Sequence, residues 1–204
     1  MNEGNLYQAP SAEARPPSPP PIQARKPALL QVFGILHLLA AGYGIITGLW
    51  GAYVLFVGDP TLPYAPDHAI EAQQNMVNAM QPMTAINLVV TVVLVALVIV
   101  AGIKLLRARK NAVKASNRYA IASIVGKVAG GVLLFIYSVP AQRQFIEEQF
   151  ELMGDVPAGI KTGMDEMMIV GPIMGIVFTC LYPILSLILL NRRPVKNWLE
   201  HFGK

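Results

Sequence analysis

Hydrophobic positions fall in four long, nearly unbroken runs at about residues 29–57, 83–106, 119–139 and 169–190. Neither the period of a surface helix nor the alternation of a strand organises them, and each is long enough to cross the roughly 20-residue hydrocarbon core as a helix. In lipid a backbone must satisfy its own polar groups, so each run predicts an α-helix. The fold class that follows is all-α: a polytopic membrane protein of four transmembrane helices with short extracytoplasmic and interfacial helices between them. The first run is too long and too far from the N-terminus for a cleaved leader, and is read as an anchor.

Polar stretches divide the rest. Residues 1–28 hold seven prolines and few large apolar side chains. Such a segment cannot bury enough surface to offset chain entropy, and a disordered Pro-rich cytoplasmic tail is expected. Residues 29–190 form the membrane domain, with outer loops at 58–82 and 140–168, and 191–204 form an amphipathic tail. After Pro140, residues 141–153 place Phe145, Ile146 and Phe150 on one helical side and Glu147, Glu148 and Glu151 on the other. In the tail, Val195, Trp198, Leu199 and Phe202 share a face after Pro194. Both helices are expected in the interface plane, the tail anchored by Trp198, Leu199 and Phe202.

Composition agrees with the pattern. Hydrophobic residues make up 54%, charged residues only 14%, and the mean hydropathy is +0.48, too little charge to cover a soluble protein of 204 residues. The charges are unevenly placed. Segments 1–28, 107–118 and 191–204 carry twelve of the sixteen Lys and Arg, whereas loops 58–82 and 140–168 carry two of them and nine of the twelve acidic residues. The positive-inside rule therefore puts both termini and the middle loop in the cytoplasm. A pI of about 9.3 does not imply nucleic acid here, because the basic residues flank membrane spans. The single Cys180 and the lack of glycosylation acceptors suit a bacterial inner (plasma) membrane.

Small residues recur every fourth position in the first span (Ala40, Gly44, Gly48, Ala52), the third (Gly126, Gly130) and the fourth (Gly171, Gly175). They predict faces on which helix backbones approach closely. The Val-rich second span has no such face and is expected to be the one most open to lipid or a partner. Pro183 is expected to kink the fourth span and free a carbonyl there.

Three intramembrane polar residues are candidates for lipid or ligand binding: Lys127, His37 and Asn87. Lys127 has no acidic residue in any span to pair with, and its stem can extend toward the interface. Ser123, one turn earlier, would give a nucleophile beside an amine. No hydrolase elbow, zinc motif or phosphate-binding glycine loop accompanies it, so no catalytic residue, metal or cofactor is assigned. The methionines gather on the outer side, with His68 before Met76, Met80 and Met83, a set that could ligate Cu(I) but reads better as packing. The function expected is that of a non-catalytic accessory, assembly or scaffold subunit whose partners are membrane lipids and another membrane protein. The alternative is a small homo-oligomeric transporter or channel lined by Lys127, His37 and Asn87.

Overall fold

The computed structural model describes residues 25–58, 67–154 and 157–204. Most of the Pro-rich tail therefore lies outside the described residues, as does the side chain of His68. The described chain is all-helical and holds four helices long and apolar enough to cross a membrane. Its elements are α1 (Ala28–Val57), α2 (Asp67–Leu106), α3 (Ala112–Leu133), a π-helical segment (Leu134–Ser138), α4 (Val139–Met153), α5 (Ala158–Leu190) and α6 (Arg193–Phe202).

Turn chemistry marks the helix ends. Pro27 precedes the first residue of α1 with an extended backbone, and Gly58 closes it at φ 106°, a value that favours glycine. The end of α2 is a Schellman turn: Ala108 N–H bonds Leu105 O at 3.1 Å and Arg109 N–H bonds Lys104 O at 3.0 Å. Its left-handed position is held by Ala108 at φ 50°, where glycine is usual.

The helices predicted within the acidic loops prove to be continuous with the spans. α2 begins well before Met83 and runs through Pro82. The third span passes through the π segment directly into α4. There the N–H of Val139 reaches back five residues to Leu134 O, just before Pro140, which has no N–H to offer. The amphipathic α4 packs its apolar side on the extension of α2, burying Ala141 and Ala72. Ser138 Oγ donates to Met80 Sδ (3.4 Å), Arg143 pairs with Asp165 of α5 (3.2 Å), and Lys161 lies 5.6 Å from the Phe150 ring centroid. Three helices thus continue past the apolar region as a stalk at the acid-rich end.

α2 packs against both α1 and α3, α3 packs against α5, and α5 returns to α1 over only a short stretch. With the fourth, the second span is the least buried of the four, in keeping with its expected openness, and Val89, Val92 and Val93 are exposed. Its other branched side chains, Val90, Thr91 and Val95, are the counterpart of its neighbours' glycines. A methyl group on Gly44 would lie 2.7 Å from Val95, one on Gly48 3.4 Å from Thr91, one on Gly126 3.1 Å from Val90, and one on Gly130 3.6 Å from Asn87 Oδ1. Ala40 packs beside the buried cluster Ala41, Val98, Ala101 and Tyr119, and Ala52 lines the groove between α1 and α2. Gly171 and Gly175 meet nothing within 4 Å, so the fourth span's small-residue face has no neighbour in the described chain.

α6 closes the basic end. Val195 and Leu199 are buried with Leu30, Phe33, Leu105, Val113 and Leu190, while Phe202 stays about half exposed. Leu199, expected to enter the membrane interface, faces inward to the bundle instead. Trp198 packs at the edge of this cluster. The backbone beyond α6 pairs with the α2–α3 turn: Lys110 N–H bonds Lys204 O and Lys204 N–H bonds Ala108 O, both at 3.1 Å.

Candidate functional site

His37 is fully buried between α1, α3 and α5 near the basic end. Its Nδ1 lies 2.5 Å from Tyr182 Oη and its Nε2 3.0 Å from Ser116 Oγ, which in turn lies 2.9 Å from Ser186 Oγ. One direction satisfies the chain: Tyr182 donates to Nδ1, Nε2–H donates to Ser116, and Ser116 donates to Ser186. Tyr119 lies 5.1 Å from the imidazole centroid, and Phe33 stacks on Tyr182 at 6.3 Å. Pro183 and Ser186 are buried on the same stretch of α5. In hydrocarbon such polar groups must find partners within the bundle, and here four of them tie three helices together.

Lys127 serves a second link. Its Nζ donates to the backbone carbonyl of Thr179 on α5. In an α-helix that carbonyl would accept from residue 183, which is proline and has no N–H. Pro183 and the intramembrane lysine, distinct features of the sequence, therefore meet at one oxygen. Ser123 is buried one turn away, and Lys127 Nζ is directed to Thr179 O.

Asn87 faces Gly130 and makes no side-chain hydrogen bond among the described residues. It stands far from His37, whose Cβ approaches Gly102: the rise from Gly102 to Asn87 along α2 is about 22 Å. The structure does not bring His37, Lys127 and Asn87 into one pocket. Among the described residues no three His, Cys, Asp or Glu side chains converge. Met167 is exposed and Met168 buried, so these adjacent thioethers point to different surroundings.

Two cavities at the basic end were not anticipated residue by residue. One of about 300 Å³ lies between α3, α5 and α6 and is lined by Lys110, Lys114, Lys196, Asn117, Asn191 and Glu200, among others. Its inner wall is a reciprocal amide pair, Asn117 Nδ2 to Asn191 Oδ1 (3.2 Å) and Asn191 Nδ2 to Asn117 Oδ1 (2.8 Å). The other, of about 590 Å³, lies by Lys26, Arg107 and Arg109, where Lys26 Nζ caps Leu106 O at 2.8 Å. Basic clustering was visible in the sequence, but the junction of three helix ends was not. An apolar groove of about 560 Å³ separates α1 and α2 near Gly44, Gly48 and Ala52.

Comparison with protein-family models, curated proteins and solved structures gives no match to this chain.

Proposed function

We propose that the protein is a non-catalytic accessory, assembly or scaffold subunit of a bacterial inner membrane, with both termini in the cytoplasm, binding lipid and another membrane protein. The observation that carries this reading is the contrast between its interior and its fourth span. His37, Ser116, Ser186 and Tyr182 spend their polar atoms on one another, and Lys127 on Thr179. The Gly171–Gly175 face of α5, by contrast, offers close backbone approach to a helix that the described residues do not supply. The charge bias between the two ends supports the orientation.

Native mass spectrometry of the protein released gently from its own membrane tests the reading. A different polypeptide retained in fixed ratio is the expected result. A closed ring of identical chains that conducts ions in vesicles would replace it with the transporter or channel alternative. Reporter fusions at each terminus and at the two acidic loops test the orientation, and an active periplasmic reporter at either terminus would reverse it.

A further inference from the structure

We propose that the cavity between α3, α5 and α6 binds the phosphate of an anionic phospholipid headgroup. This deepens the lipid-binding part of the proposed function and rests on it.

The charge arrangement needs an anion. Lys110, Lys114 and Lys196 line one small cavity with Glu200 as its only acidic group from the described residues, a surplus of two positive charges. Among the described residues none of the three lysines is ion-paired, since Arg143–Asp165 at the opposite end is the sole bridge. Lys114 and Lys196 also occupy the opening turns of α3 and α6, where the helix dipole is positive and neither first turn holds an acidic residue. Cations there repel unless a negative ligand sits among them.

Size and surroundings select the ligand. A volume of about 300 Å³ equals that of about ten water molecules, enough for a phosphate and part of a glycerol. The amide pair Asn117–Asn191 forms a neutral polar inner wall at the point where the apolar spans begin. One turn further inward on the same helix faces, Ile121 and Ile188 are exposed, followed by Val125 and Ile184. An acyl chain leaving the cavity therefore finds an apolar track along α3 and α5. A soluble phosphate would have no use for it.

The test titrates the delipidated full-length protein in detergent with phosphatidylglycerol, phosphatidylcholine or inorganic phosphate, read by native mass spectrometry. Phosphatidylglycerol should bind about tenfold more tightly than phosphatidylcholine, a difference of about 1.4 kcal/mol. The triple variant K110Q/K114Q/K196Q should lose that preference. The variant K110R/K114R/K196R should keep it, and so should R25Q/R107Q/R109Q, which removes equal charge outside the cavity. Equal losses in the two glutamine variants would reduce the effect to diffuse attraction and overturn the site. Competition by millimolar inorganic phosphate at the same strength as lipid would overturn the lipid assignment in favour of a soluble anion. A chain that retains its protein partner but has no headgroup preference would overturn this site and leave the scaffold reading standing.

Discussion

Lys127 of the third span donates its ammonium hydrogen bond to the carbonyl of Thr179, the one backbone oxygen of the fourth span that Pro183 leaves without its helical donor. A backbone carbonyl without a partner is costly in lipid, and so is a cation. Each here relieves the other, and together they pin α3 to α5.

This relationship predicts a coupling. Lys127→Met should destabilise the protein by about 1–2 kcal/mol, because it strips the freed carbonyl of its donor. In a Pro183→Ala background residue 183 regains its N–H, and the same substitution should cost nearly nothing. The check is a double-mutant cycle by reversible unfolding in mixed micelles. Equal costs in both backgrounds would mean that the lysine acts independently of the proline.

The His37 cluster should behave as a unit. His37→Ala leaves Tyr182 and Ser116 without their shared partner and opens a space at a fully buried position, so a loss of about 2–4 kcal/mol is expected. Tyr182→Phe removes one hydroxyl and should cost about 1 kcal/mol. Combining His37→Ala with Ser116→Ala should cost clearly less than the two separately. Thermal unfolding of the purified variants measures all three, and strict additivity would argue against a connected chain.

Glycines of identical sequence pattern should divide into two groups. Gly44→Leu and Gly126→Leu drive side chains into Val95 and Val90 and should lower the midpoint of unfolding markedly. Gly171→Leu and Gly175→Leu meet open space, so their midpoints should stay near wild type while any co-purifying partner is lost. A midpoint for Gly171→Leu as low as that for Gly44→Leu would place this face inside the folded chain.

The clasp at the basic end offers a change in each direction. Ala108→Gly relieves a left-handed alanine and should stabilise by about 0.5–1 kcal/mol. Gly203→Val should do the reverse, since a Cβ there would press on the backbone oxygens of Leu199 and Ala108. Hydrogen exchange at the amides of Lys110 and Lys204 reports the clasp directly, with faster exchange expected in Gly203→Val alone.

Hydropathy by itself determined the number of membrane helices and their approximate limits, because a lipid solvent forces every long apolar run into a helix. Lys127, His37, Pro183 and the repeating small residues were also legible one at a time, each being unusual for its position in a span. Their partners were not. Thr179 O and Lys127 are 52 residues apart in the chain, and His37 and Tyr182 are 145 apart. Local periodicity has no information at that range. The second span illustrates the same limit: its valines look alike in the sequence, and only the glycines of α1 and α3 separate Val90 and Val95 from the exposed Val89, Val92 and Val93. Likewise an apolar stripe such as that of α6 fits a membrane interface or a bundle end equally well, and only the position of Leu30, Leu105 and Leu190 around Leu199 decided between them. Burial against solvent is a property of the single segment, whereas the choice of neighbour depends on where all the other segments lie.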